Sequence, residues 1–286
     1  MTAREKQKIL EDNLYEFQKR LDIAKKQKSL TATELANEIS QLKESNIFDT
    51  LKKLTEILSP DEQAQMLLAL CKTDLYQKIK ASLFIGSIEP TQAGAHSRIS
   101  FVKNKYNDIA FEEFSHAVIN AKPDYASSFK ESCESVYDGR CEFCILPVTS
   151  TSDGRLMSFY ALIDRYELKI CDYTDIEDDT SGSFRYALLA RSCKEPNEKK
   201  APKQKYIFEF SISAENTDFI LELLLASNAL GAELLSVDSI PVEYALSTQR
   251  FFFTFSISAS ELIALRAFVA TKNQSYTPIG IYKKKN

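Results

Sequence analysis

The chain has no tryptophan, two histidines and seven glycines in 286 residues. Two histidines make a histidine-based catalytic triad or metal centre an improbable design. Scarce glycine weakens any reading that needs a Gly-rich phosphate loop. Positive charge is not in excess: 36 Lys and Arg against 40 Asp and Glu give a formal net charge of -4 and a pI near 5.5. That balance argues against nucleic acid or an anionic membrane as partner. No apolar run has the length of a bilayer span. The N-terminal Met1-Thr-Ala-Arg-Glu-Lys-Gln-Lys leads into a charged helix rather than an apolar signal core, so a cytoplasmic location is expected. Six cysteines are scattered over the chain without a secretion signal, which fits reduced thiols. Cys141-Glu-Phe-Cys144 has CxxC spacing, but zinc would need a second pair, and Cys71, Cys133, Cys171 and Cys193 supply none. The motif reads as buried thiols in a strand, and neither metal nor cofactor is expected.

What is present is an ordinary globular composition, 44% hydrophobic and 27% charged, on a chain long enough for two or three domains. Residues 4 to about 83 read as helices only. Ile9, Leu10, Leu14, Phe17, Leu21 and Ala24 make an amphipathic first helix ending near Lys28. Thr31-Ala-Thr-Glu34 is a capping-box pattern that predicts a second start. Ser59-Pro60-Asp61-Glu62 predicts a third, with Met66, Leu67, Leu70, Leu75 and Ile79 as its apolar face. A linker over residues 85–97 follows. From Arg98 short strands alternate with helices, which predicts a mainly parallel sheet. The charged, Pro-containing segment Lys194–Lys205 is a second linker, and the last 80 or so residues read as βαββαβ, the split-βαβ order of ferredoxin-like folds.

The stretch Val136-Tyr-Asp-Gly-Arg-Cys-Glu-Phe-Cys-Ile-Leu-Pro-Val-Thr-Ser-Thr-Ser-Asp-Gly-Arg155 carries most of the functional information. It reads as a helix end, a Gly139 cap, a strand over Cys141–Leu146 and a polar loop, Pro147–Gly154, with four hydroxyls in a row. A loop past the carboxyl end of a strand is where open α/β sheets bind small molecules. The acidic run Asp172, Asp175, Glu177, Asp178 and Asp179 reads as a solvated hinge loop.

These residues resemble the signature elements of the prephenate dehydratase family, over about residues 97 to 286. Ser128-Phe-Lys-Glu-Ser-Cys-Glu-Ser-Val-Tyr-Asp-Gly139 is similar to the family's helix before its substrate loop. Pro147–Gly154 resembles that loop, and Ser181-Gly-Ser-Phe-Arg-Tyr-Ala-Leu-Leu-Ala190 its Thr-Arg-Phe strand. Ser227-Asn-Ala-Leu-Gly-Ala-Glu-Leu, Asp238-Ser-Ile-Pro241 and Ile279-Gly-Ile-Tyr282 resemble landmarks of the family's C-terminal ACT domain. Leu10–Leu21 and Leu58–Glu62 are similar to helices of the chorismate mutase that some members carry in front. The resemblance implies a multidomain α, α/β and α+β protein. Its parts would be a helical mutase-like region over 1–84, a two-lobed dehydratase-like region of periplasmic-binding-protein type over 97–193, and a ferredoxin-like ACT domain over 205–286.

The same resemblance implies site residues. Ser183 and Thr151 would be catalytic hydroxyls. Thr149, Ser150, Gly154 and Arg185 would line an interlobe pocket for a prephenate-like dicarboxylate, although Arg185 could equally hold a carboxylate of the fold. Ser239 and Pro241 would be effector contacts. The chain also departs from the pattern. Thr149-Ser150 replaces Glu-Asn, and Phe184-Arg185-Tyr186 replaces Thr-Arg-Phe, which removes the hydroxyl credited with protonating the leaving group. The first-strand turn Lys103-Asn-Lys-Tyr106 and the ACT turn Glu215–Ile220 both lack glycine, and the latter argues against phenylalanine control. The mutase motif Asp-x-x-Arg-Glu has no counterpart; Arg4, Arg20, Lys26 or Lys28 would be remnants of its cationic pocket, and Thr73 and Gln77 have the spacing of its third-helix pair. The expectation is a protein of the phenylalanine-biosynthetic dehydratase family with weakened or lost activity, or a non-catalytic ligand-binding or regulatory paralogue. A homodimer is expected, because Phe252 points away from Phe251, Phe253 and Phe255 and needs cover. The competing source of cover is the α/β region of the same chain.

Overall fold

The computed structural model describes residues 3–40, 50–51, 53–54, 57–73, 97–178, 182–192, 203–214, 218–241, 248–272 and 276–285. Contacts divide the chain into two compact units: residues 1–84, 221–230 and 263–272, and residues 85–220, 231–262 and 273–286.

The first unit is helical. Helix α1 spans Ala3–Ser40 without the break expected before Thr31. No Pro or Gly interrupts residues 21–40. The two threonines of the expected capping box point back instead: Thr31 Oγ1 donates to the Gln27 carbonyl (3.2 Å) and Thr33 Oγ1 to the Ser29 carbonyl (2.8 Å). Such back-bonding lets a hydroxyl sit inside a helix rather than start one. Ala32, Ala36 and Ile39 form its buried stripe. Helix α2 (Pro60–Leu70) starts where the sequence placed it. The Ser59 N–H donates to Glu62 (3.0 Å), its hydroxyl donates to Asp61 (2.7 Å), and Pro60 occupies the first turn. Met66, Leu67 and Leu70 are buried; Leu75, Gln77 and Ile79 lie outside the described residues. Lys28 bridges Asp61 (3.2 Å) and Glu62 (3.3 Å), joining α1 to α2. Gln65 Nε2 donates to the Ala229 carbonyl (2.8 Å), so α2 also meets the end of helix α6, Asp218–Ala229. In helix α7 (Ala259–Lys272) every residue from Ile263 to Val269 is buried, as expected of a helix that is apolar almost all round.

The second unit is built on one mixed sheet. Its strands are β1 (Arg98–Val102), β2 (Lys122–Ala126), β3 (Phe143–Ser150), β4 (Gly154–Arg155), β5 (Lys169–Asp178) and β6 (Gly182–Ala190). They continue as β7 (Lys205–Ala214), β8 (Glu233–Pro241), β9 (Gln249–Ser258) and β10 (Thr277–Lys283). Their order is β2-β1-β3-β6-β5-β10-β7-β9-β8, with β4 paired to β3. Helices α3 (Lys105–Ser115), α4 (Phe129–Tyr137) and α5 (Met157–Arg165) connect the first strands.

Three expectations are corrected. First, the sheet is not mainly parallel: β1 runs parallel to β2 and β3, but β6 is antiparallel to both β3 and β5. Second, the strands over 98–190 are neighbours in one sheet within one unit, not two lobes. Third, both expected loops are largely strand, with only Thr151–Asp153 left as a turn between β3 and β4. Pro147–Ser150 extends β3, and the ladder to β6 is irregular between Pro147 and Thr149, which accommodates a residue without an N–H. The acidic run through Asp178 lies in β5, with Tyr173 and Ile176 buried and Asp175 and Glu177 exposed. The glycine-free turn Lys103–Tyr106 begins α3, where the Asn104 side chain accepts from the N–H groups of Tyr106 (3.1 Å) and Asn107 (2.9 Å).

In the last segment, β10-β7-β9-β8 are antiparallel neighbours with α6 and α7 between strands in sequence, the βαββαβ order read from the chain. Phe208, Phe210, Phe253 and Phe255 stack on one face, with Phe210 and Phe253 centroids 5.3 Å apart. Phe252 faces the other way and is 4% exposed, because α5 covers it: the Tyr160 and Phe252 rings meet edge to face at 5.8 Å. Cover therefore comes from the same chain, and the argument for a dimer from Phe252 loses its basis.

The two halves of the sheet join where β10 runs parallel to β5, at Gly280 and Ile170. A Cβ on Gly280 would lie 2.7 Å from Ile170 Cβ and 2.8 Å from the Ile170 carbonyl oxygen. Only glycine permits that approach. Gly280→Ala is expected to lower stability by about 1–3 kcal/mol, the usual cost of overpacking, measured as a lower urea midpoint; an unchanged midpoint would show that the seam gives way freely.

Candidate functional site

Strands β3 and β6 bring six of the eight expected site residues together. Thr149 lies opposite Arg185, Ser150 lies opposite Phe184 on β6 and Gly154 on β4, and the Thr151 N–H donates to the Ser183 carbonyl (3.0 Å). Ser239 and Pro241 are elsewhere, exposed on the edge strand β8.

The polar groups at this end of the sheet bond to one another. Ser150 Oγ donates to Asp153 (2.9 Å) and accepts from the Asp153 N–H (2.9 Å), and Ser152 Oγ donates to the same carboxylate (2.8 Å). The bonds from Ser152 and Ser150 hold the Asp153 carboxyl below the usual range. Thr151 Oγ1 accepts from the Ser183 N–H (3.1 Å) and sits where a Cβ on Gly182 would be, so Gly182 makes room for it at φ +83°. Arg185 is clamped by Asp175, with Nε–Oδ1 at 2.7 Å and Nη2–Oδ2 at 2.9 Å, and lies 4.3 Å from the Tyr173 ring centre. Of its two possible roles, the structure gives it a carboxylate of the fold.

A second constellation lies on the neighbouring face. Arg155, on the short strand β4, and Glu209, on β7, have side chains only 5% exposed and pair at 3.0 Å. Arg155 Nε donates to Asp238 (2.7 Å), and Nη2 donates to Thr254 Oγ1 (2.7 Å) and Ser236 Oγ (3.1 Å). Glu209 accepts from the Tyr160 hydroxyl (2.7 Å) and from the Tyr282 hydroxyl. The guanidinium also lies 4.6 Å from the Tyr160 ring centre. Burial drives both phenols well above the ordinary tyrosine range, and the Glu209 charge adds to it, so they act as donors only.

Scans with models of protein families and a search of curated proteins give no match. Solved structures do match. A prephenate dehydratase from Streptococcus mutans superposes with a TM-score of 0.50 at 16% identity, over 65% of this chain and 98% of that one. The prephenate dehydratase of Arthrobacter aurescens, in complex with L-Phe, gives a TM-score of 0.52 at 12% identity, over 65% of this chain and 90% of that one. The fold resembles that of the prephenate dehydratases. A quorum-quenching acylase, GqqA, matches equally, with a TM-score of 0.50 at 18% identity over 66% of this chain and 95% of that one. A dehydratase-like fold therefore does not assign a reaction, which must come from the residues.

Three of the described thiols are poor nucleophiles. Cys133, Cys141 and Cys144 are buried, and burial, with help from Asp124, pushes the Cys141 thiol up to about 12. The Arg155 and Glu209 pair was missed in the sequence. Its signal is Glu209 alone in Tyr-Ile-Phe-Glu-Phe-Ser-Ile, a carboxylate in a strand apolar on both sides of it, which demands a buried partner. Arg155→Met would strand that carboxylate, and a loss of about 3–5 kcal/mol is expected in chemical denaturation. Adding Glu209→Gln should restore part of it. A loss below about 1 kcal/mol, as for a surface pair, would contradict this.

Proposed function

We propose that this chain is a distant relative of the prephenate dehydratases that binds a small molecule without dehydrating prephenate, with an ACT domain over residues 205–286. The relationship is supported by the fold likeness together with the ordered motifs around Ser128–Gly139, Pro147–Gly154 and Ile279–Tyr282. The ACT assignment is supported by the βαββαβ element order and the strand order β10-β7-β9-β8.

The observation that carries the non-catalytic reading is the bidentate Arg185–Asp175 pair. Prephenate is a dicarboxylate, and dehydration requires cations on its carboxylates and a proton donor at its leaving hydroxyl. Here the arginine at the expected position is already neutralised. Asp153, in the β3–β4 turn, and Glu177, on β5, add further negative charge to this end of the sheet. Ser150 spends its proton on Asp153. Thr151 keeps a hydroxyl, but on an exposed turn, where water replaces the dry surroundings that make such a donor effective. Phenylalanine bound to the Arthrobacter aurescens protein is not extended to this chain, since Ser239 and Pro241 lie exposed on an edge strand. The helical N-terminal region is read as structural, because Lys28, one of the candidate cations, is engaged by Asp61 and Glu62.

The test is prephenate turnover by the purified full chain, followed as phenylpyruvate formation. The expected rate equals the uncatalysed background, a loss consistent with factors of about 10²–10⁴ for a missing acid and about 10²–10³ for each missing anion donor. Turnover that disappears on Thr151→Ala or Arg185→Gln would overturn the reading.

A further inference from the structure

A cavity of about 360 Å³ opens in the second unit between α5, the turn after it, strand β9 and the start of β10. That volume lies at the small end of the range of about 300–1,000 Å³ that suits small-molecule pockets. Tyr160, Ile163, Leu168, Phe252 and Ile279 give it an apolar and aromatic body.

The polar groups that remain to serve a ligand are donors. Ser211 on β7 is 1% exposed and lies opposite both Thr277 on β10 and Phe252 on β9. Residues directly opposite in antiparallel strands share a face of the sheet. The two hydroxyls therefore lie side by side on the cavity wall. A hydroxyl has one proton to give and two lone pairs. Ser211 Oγ accepts from Arg250 Nε (3.1 Å), which leaves its proton for another acceptor. Neither Ser211 nor Thr277 gives its hydroxyl proton to a group among the described residues. Beside them, the Pro278 carbonyl fixes the Lys169 ammonium at the same wall (2.7 Å).

The acids of the lining do not reverse this polarity. Asp164 accepts two bonds from Arg250, each 2.7 Å, so its charge is already met. Glu167 is exposed, and water screens its carboxylate. The aromatic walls are engaged by cations of the chain as well. The Arg155 guanidinium lies 4.6 Å from the Tyr160 ring centre, and those of Arg155 and Arg250 each lie 5.8 Å from that of Phe252. Ring attraction that would favour a ligand cation is thus already taken up within the protein.

We propose that this cavity is a ligand site and takes a small aromatic or branched monocarboxylate. Its carboxylate accepts from the Ser211 and Thr277 hydroxyls and pairs with Lys169, and its apolar body lies against Ile163, Leu168 and Ile279. This deepens the reading of the chain as a non-catalytic ligand-binding protein and rests on that reading.

Calorimetric titration of the full chain with 3-phenylpropanoate, 2-phenylethanol and 2-phenylethylamine compares an anion, a neutral molecule and a cation of nearly one shape. The acid is expected to bind about tenfold more tightly than the alcohol, the scale of one charge-assisted bond at a partly exposed site, and the amine more weakly than either. Lys169→Met should bring the acid down to the affinity of the alcohol. Thr277→Val keeps the shape of the wall and removes one donor, so it should weaken the acid about fivefold and keeps the test decisive where Lys169→Met fails to fold. Equal affinity for the three compounds, no binding of the acid, or an unchanged acid affinity in either folded variant would each overturn the site. Prephenate turnover would overturn the non-catalytic reading instead, so the two failures are distinguishable.

Discussion

A guanidinium taken out of water survives only when its N–H groups find oxygens and its charge finds an opposite charge. Arg155 meets both conditions with oxygens from three strands: Glu209 on β7, Ser236 and Asp238 on β8, and Thr254 on β9. Its position two residues before α5 turns that requirement into architecture. Wherever Arg155 is held, the start of α5 is held, and α5 lays Tyr160 on Phe252 and Ile163 into the core shared by β3, β5, β7 and β10. Tyr160 and Tyr282 then close the remaining oxygens of Glu209. Six segments depend on one buried charge pair. Such a network is fully satisfied or strongly destabilising, with little between.

Local signals fix several elements, although the Thr31–Glu34 capping pattern lies inside α1 and starts no helix. Helix α4 occupies Phe129–Tyr137 as its Ser128 cap and apolar spacing require, and α2 starts at the Ser-Pro-Asp-Glu signal. The other departures arise where a distant partner decides. Pro147–Ser150 has the composition of a loop and becomes strand because β6 offers it a ladder. The acids of β5 look solvated, yet Asp175 is the counter-charge of Arg185, ten residues on and across a hairpin. The union of the two half-sheets rests on Gly280 against Ile170, a contact between residues 110 apart that periodicity cannot reveal.

The family-like elements and the chemistry point in different directions, and the charges explain why. Strands β3 and β6 place Thr149, Thr151, Ser183 and Arg185 together, as the motifs implied. Asp153 and Asp175 then consume the donors that an anionic substrate would need. A scaffold of this kind can keep its fold when the ligand chemistry at one end of its sheet is lost.

The Arg155–Glu209 pair makes the α/β strands and the βαββαβ strands one cooperative body. Native-state hydrogen exchange of the intact chain tests it most directly. Amides in β3 and β6 and amides in β7 and β9 should open with the same free energy, within about 1 kcal/mol, and with the same denaturant dependence. If β7 and β9 exchange through a separate opening while β3 and β6 stay protected, the pair does not unite them and the account is wrong.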